Sequence, residues 1–550
     1  PGAFMKSSSL FLTFVLLLFP LSLLADDHDH HLDPNEKVGT VSFPTSCSAS
    51  VQKAFERGVA LLHSFEYEVA NHQFEEVAQK DPQCGMAYWG QSISRYHQLW
   101  GRPNAEDAKR GWELVQKAQA TGTKTQRESD YIDAVAAFYR NYDETKHEKY
   151  SHAYSQAMAK VYQRYPEDHE AAVFYALSLL ASSNDKTGEA NAQKAISILN
   201  QLFEKEPDHP GIAHYLIHSC DNPKFASQGL AAARRYAGIA AASPHAVHMP
   251  SHIFARLGLW QDDINSNLAA LKIVDKQAAM HVHTMHHRMH SMDFLVYAYL
   301  QIGDNVKAKG MVDDLLAFKK DDIEKDYQAY FDEMAADFPA RYALERRQWN
   351  DALALQPRSS AGPSAEAVTY WAQTIAAGHL HDAAAAQKAA TKYEALRAEA
   401  LKGRKGYMGK GMRTDHDEVQ AWLAFAQGKN DEALRRIRAL ADTQDDKGKA
   451  EVALPAREML ADMLLALDRP QEALAEYEKA LHTDPNRFNG LYGAAQAAEA
   501  TKQPQKAAEY YAQLLKNCDN GEHSDRPELA HAKTLVAQIK PLTTARQSAN

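Results

Sequence analysis

The sequence predicts an all-α solenoid of roughly nine to eleven stacked helix–turn–helix pairs. Three observations predict it. Apolar residues recur at three- and four-residue spacing along almost the whole chain, as in helices with one buried face. No strand-like alternation persists, and Gly is sparse at 26 of 550 residues. A period is present near the C-terminus, where Ala461, Ala473 and Tyr477 recur as Ala495, Ala507 and Tyr511, each shifted by 34. A repeat array grows in one dimension, so this length need not divide into several globular domains.

Composition narrows the function classes. Lys and Arg total 61 against 71 Asp and Glu, a net charge of −10. No nucleic-acid partner is expected, because phosphate binding needs a clustered basic surface. With 45% apolar and 24% charged residues, the chain is neither disordered nor an integral membrane protein overall. Four Cys cannot staple a chain of this size.

From the N-terminus, residues 1–25 read as a secretory signal. Met5-Lys6 precede an apolar run from Leu10 to Leu24 and a small residue, Ala25. That run is short of the roughly twenty apolar residues a membrane span needs. The expectation is a periplasmic or secreted protein with no membrane span after cleavage. Pro1–Phe4 read as a cloning scar or an upstream misread ahead of Met5. Residues 26–50 form a His/Asp-rich flexible segment; His28-Asp29-His30-His31 is a solvated tail or a loose metal-gathering arm. Cys47 and Cys84 could pair in an oxidising compartment; the pairing of Cys220 and Cys518 stays open.

Residues 51–318 form the first run of repeats. Gly58, Ala70, Phe74 and Asp81-Pro82 hold the offsets of the C-terminal period, and Tyr165-Pro166 and Glu206-Pro207 close two further units. Leu257-Gly258-Leu259-Trp260 and Ile302-Gly303 are expected turns. Residues 319–402 hold middle repeats, opening on a charged run. Residues 403–414 are Gly-rich and basic, an exposed linker or an anion- or partner-binding loop. Residues 415–517 are the C-terminal repeats, and 518–550 a closing helix and tail. Small residues where helices pack, an aromatic at the joint and a Pro that ends the second helix resemble the tetratricopeptide repeat. The resemblance covers about residues 51–517 and is strongest at both ends. It implies that the first helix of each pair lines a concave groove holding a protein or peptide.

The chemistry concentrates in histidine. Eleven of the 26 His lie between His209 and His290. His214 and His218 are four apart. His245, His248 and His252 are spaced three and four, as are His283, His286 and His290, with His287 four after His283. Such offsets share one helix face, with neighbours about 5–6 Å apart at Cβ, a span a metal ion bridges. In the repeat register all three groups fall on first-type helices of successive units. His214, His218, His248, His252, His286 and His290 are therefore the candidate metal ligands. His245, His283 and His287 are additional candidates. Asp221 and Asp293 are placed to orient a ring nitrogen. Pro250 either starts its helix or kinks it. Neutral imidazoles take Cu, Zn or Fe alike. Met249, Met280, Met285, Met289 and Met292 crowd the same stretch, as core packing or as thioethers suited to Cu(I). No Cys-x-x-Cys or His-Glu-x-x-His occurs, so neither a zinc finger nor a zincin is supported.

Trp89 and Trp100 are candidate groove aromatics. Glu66, with His63 or His97, and Tyr96 are the candidate catalytic groups. No nucleophile elbow, dinucleotide fingerprint or c-type haem motif is present. The leading expectation is an exported binding or scaffold protein with a His-lined metal site. The alternatives are a metal-dependent oxidoreductase or hydrolase using the same cluster, and a periplasmic metal carrier.

Overall fold

A computed structural model of the chain describes residues 35–99, 101–121, 124–278, 285–319, 321, 323–358, 361–402, 416–522 and 524–547. Residues 1–25, which the sequence reads as a signal, the His28–His31 arm, Trp100, Met280, His283 and residues 403–414 lie outside them. Among the described residues there is no strand.

Helices follow one another in antiparallel pairs. The first are α1 (Gln52–His63) with α2 (Tyr67–Lys80), α3 (Gly85–Ile93) with α4 (Ala105–Thr121), and α5 (Gln126–Tyr139) with α6 (His147–Arg164). Then come α7 (His169–Ala181) with α8 (Gly188–Phe203), and α9 (Pro210–Cys220) with α10 (Ala226–Ile239). A broken helix, α11 (Pro244–His248) and α12 (Pro250–Arg256), pairs with α13 (Trp260–Ala278). Next are α14 (Met285–Gln301) with α15 (Asn305–Ala317), α16 (Gln328–Glu345) with α17 (Trp349–Ala354), and α18 (Pro363–His379) with α19 (Ala383–Ala400). The period predicted at the C-terminus is α20 (His416–Ala426) with α21 (Asn430–Lys447), α22 (Ala456–Ala466) with α23 (Pro470–Thr483), and α24 (Phe488–Ala500) with α25 (Pro504–Asn517). Helix α26 (Pro527–Gln547) follows. With α11–α12 taken as one element, α1–α25 form 24/2 = 12 pairs among the described residues. That is one more than the upper end of the nine to eleven pairs expected.

All six residues of the 34-residue period are fully buried, as small residues and an aromatic at helix joints must be. Gly258 and Gly303 sit in their predicted turns at φ +62° and +74°, where a side chain is disfavoured. One apolar core runs from Val38 to Phe254, a second holds Ala255 to Phe338 with Val452, and a third runs from Ala340 to Ala532. Leu315, Phe318, Ile323 and Phe331 share the second core, so packing is continuous across residues 318–319. Met249, Met289 and Met292 are buried in these cores.

Pro250 does both things expected of it. It occupies the first turn of α12, and Met249 before it keeps helical angles (φ −50°, ψ −34°). His245 and His248 therefore sit on a short helix rather than a loop.

The C-terminal repeats return onto the middle of the chain. Trp260 Nε1 donates to the Asn486 carbonyl at 2.8 Å, and the Phe488 amide donates to Gln301 Oε1 at 3.0 Å. Arg487 is buried between Glu345 (2.9 Å) and Glu458 (3.0 Å) and also meets the Tyr297 hydroxyl. This return carries the segment between α21 and α22 to the histidine cluster.

Candidate metal centre

Helices α9, α11–α12 and α14 bring the predicted histidines together in two sets. In the first, the ligating atoms of His214, His218 and His245 all lie within 4.8 Å of one another; in the second, those of His248, His252 and His290 do the same. His214 Nε2 is 3.0 Å from His245 Nε2 and 3.1 Å from His218 Nε2. His248 Nε2 is 3.1 Å from His252 Nε2. An ion about 2.0–2.1 Å from each nitrogen would set such separations at about 2.9–3.4 Å. His287 stands beside His245, ring centroids 6.0 Å apart, and His286 stacks near His290 at 6.1 Å.

The outer ring nitrogens fix the tautomers. His214 Nδ1–H donates to the His63 carbonyl at 2.6 Å. His248 Nδ1–H donates to Asn267 Oδ1 at 2.6 Å, while the Asn267 amide group donates to Asp263 Oδ1 at 2.7 Å and to its carbonyl at 3.0 Å. His252 Nδ1–H donates to Asp221 Oδ2 (2.9 Å) and Glu451 Oε1 (3.0 Å). His214 and His248, held neutral by burial, then present a bare Nε2 lone pair inward. Between His248 and His252 the bare Nε2 of His248 faces the Nε2 of His252 at 3.1 Å, a pair satisfied by the proton of a charged His252 or by a metal cation in its place.

Burial, then neighbouring imidazoles, hold His218, His245 and His248 well below the ordinary histidine pKa, and burial brings His214 down to about 3. Neutral imidazole is the ligating form. His252 differs. Burial alone would depress it, but Asp221 and Glu451 raise it to about 10. Arg256 Nε donates to Asp221 Oδ1 at 3.0 Å and holds these carboxylates in place.

Asp221 thus takes the orienting position expected of it. Asp293 Oδ1 accepts from Arg341 Nη1 at 2.6 Å. The cluster does not line an open groove: His214, His245 and His248 are buried and His218, His252 and His290 half-buried.

Sequence reasoning missed Asn267 and Glu451. Neither carries a local signal, and Glu451 is 199 residues from the ring it orients. It also missed Glu170. His63 and His209 donate from Nε2 to this buried carboxylate at 2.9 and 2.8 Å. Tyr215 OH donates to His63 Nδ1 at 2.9 Å, and the Ile212 amide to His209 Nδ1 at 3.3 Å. Every ring nitrogen there is satisfied, so this third set is a structural node.

The structure places the other candidates as follows. Trp89 is 1% exposed and packs on Phe43, Phe55 and Phe174, so it is core rather than groove. Tyr96 is buried, donates to Ser151 Oγ at 2.9 Å and stacks on Phe138. His97 stacks on Tyr67 at 4.2 Å. Glu66 accepts from Ser243 Oγ at 2.5 Å rather than pairing with His63 or His97, and burial raises its pKa to about 7. Cys47 and Cys84 form a disulfide, while Cys220 and Cys518 are buried thiols. No described helix is long and apolar enough to cross a membrane.

The family model of the tetratricopeptide repeat matches residues 419–488 and 458–522. No protein of curated function matches the chain. Among solved structures, a human IFIT1 dimer with m7Gppp-AAAA is 11% identical, covering 78% of this chain and 90% of that one at a TM-score of 0.36. The P58(IPK) TPR domain is 14% identical, covering 89% and 99% at a TM-score of 0.19. Such loose superpositions leave the assignment to the matched residues and the helix pairs. Residues 419–522 match tetratricopeptide repeats, and the helix pairs that precede them are of the same helix–turn–helix kind.

Proposed function

We propose that the chain is an exported tetratricopeptide-repeat binding protein that carries a transition metal, Cu, Zn or Fe, on its central histidines. One observation carries the metal reading: six imidazoles converge in two sets of three, His214, His218 and His245, and His248, His252 and His290, each with its ligating atoms within 4.8 Å, and the outer Nδ1 atoms of His248 and His252 are held by Asn267, Asp221 and Glu451. Carboxylate- and amide-held imidazoles of this kind are the usual supports of a metal ligand. The disulfide between Cys47 and Cys84 supports an oxidising compartment, in keeping with the apolar N-terminal run. The repeat surface is the place for a protein or peptide partner.

Elemental analysis of protein purified without a His tag, after growth with Cu, Zn and Fe, tests the reading. At least one bound metal per chain is expected, with a thermal midpoint that falls on adding chelator. A ligand at a thousand times its Kd stabilises by about 4 kcal/mol, which is easily seen. Metal below about a tenth of an equivalent, with no change on adding chelator or metal, would leave only a metal-free scaffold.

A further inference from the structure

We propose that the histidine cluster is a dinuclear centre: each set of three imidazoles takes one first-row transition-metal ion, and the two ions lie side by side. The proposal rests on the metal reading above and adds to it a stoichiometry, a division of ligands and a spacing.

The six imidazoles close into two groups and not one. Each group of three has its ligating atoms within 4.8 Å, and no residue belongs to both. The groups are built alike. Each has one phenylalanine in contact with all three rings. Phe65 lies 4.4, 5.6 and 5.5 Å from His214, His218 and His245, centroid to centroid. Phe294 lies 5.0, 4.9 and 5.4 Å from His248, His252 and His290. A buried ring behind three imidazoles fixes their angles and keeps water from that side. Phe65 is held at φ +60°, a conformation costly for a bulky side chain and tolerated where surrounding contacts demand it. Three neutral nitrogens per ion leave one coordination position open in a tetrahedral site.

The spacing follows from the helices. Helix α11 supplies His245 to one group and His248 to the other, three residues apart. On α14, His290 belongs to the second group, and His287, three residues earlier, reaches His245 of the first. Two elements therefore span both groups at the same interval. Three residues of helix rise about 4.5 Å, so the ions should lie on the order of 5 Å apart. The groups differ in charge: Asp221 and Glu451 stand behind His252, while the His63 carbonyl stands behind His214.

The test is Cu(II) titration of the full tag-free chain with His28, His30 and His31 replaced by Asn, so that the arm offers no imidazole. Two Cu(II) per chain are expected, with a half-field paramagnetic resonance transition from the coupled pair. His218→Ala and His252→Ala, both at half-buried positions, should each bind one ion and give the spectrum of an isolated Cu(II). One ion in the parent chain, lost on either substitution, would mean a single shared site. Two ions without the half-field transition would mean distant, independent sites. Either result overturns the dinuclear proposal and leaves the metal reading standing; no bound ion overturns both. Stoichiometry and coupling are read on the parent chain, so the test survives if either variant fails to fold.

Discussion

Glu170 shows how much one buried carboxylate holds together. Burial would raise its pKa, but His209 and His63 bring it down to about 2 from 4.5. The unfolded chain takes up this proton near pH 4.5 and the folded chain only near pH 2. The stabilisation is therefore complete above pH 4.5 and lost as pH falls toward 2; at 1.36 kcal/mol per unit it is on the order of 3 kcal/mol. Glu170→Gln should lower stability at pH 7 by about 2–3 kcal/mol and flatten the acid limb of its pH profile. Denaturant melts from pH 7 down to pH 3 measure both, and an unchanged limb would remove Glu170 from this role. Individual residues were unevenly legible in the sequence. Helical spacing exposed the histidines and the turn after α9 exposed Asp221, because both are local patterns. Phe65 and Phe294 were not legible as backing rings, since nothing in a sequence separates a phenylalanine behind an imidazole from one in a core.

Helices pair here because glycine on one lets an aromatic of its neighbour lie flat against the backbone. A Cβ added at Gly493 would sit 2.3 Å from Tyr477 Cζ, and one at Gly111 2.4 Å from Tyr139 Cζ. Both tyrosines are buried. Gly493→Ala should therefore cost about 1–3 kcal/mol, despite the gain in helix propensity of about 1 kcal/mol. Equilibrium unfolding checks the sign; a stabilised variant would show that the α23–α24 joint is looser than its geometry. Elements were the most legible scale. The 34-residue recurrence and the Gly-plus-aromatic offsets are consequences of this packing. The broken helix α11–α12 was half legible: Pro250 announced an irregularity, but only packing on α13 and α14 decides that both halves stay helical.

At the scale of the whole molecule, the chain brings its C-terminal repeats back against α12–α15, and the metal candidate depends on that return. Arg487 is buried with Glu345 and Glu458, so Arg487→Ala leaves two uncompensated buried carboxylates and should cost about 3–5 kcal/mol. Chemical denaturation reads it, with Arg487→Lys as the variant that keeps the charge. Glu451 links this closure to the site through His252. Loss of such an orienting partner typically costs about 10- to 100-fold in metal affinity, so Glu451→Gln should weaken binding by that factor in a competition titration. An unchanged affinity would show that Asp221 suffices. None of this was legible in the sequence, because contacts across some 200 residues leave no local pattern and the segment 448–455 lies between repeats. The most direct measurement is anomalous scattering from crystals of tag-free protein grown with Cu or Zn. The account predicts a metal peak about 2.0–2.1 Å from the Nε2 atoms of His248 and His252, and a second beside His214, His218 and His245. Filled crystals with no peak between those rings, or with one only at surface histidines, would contradict it.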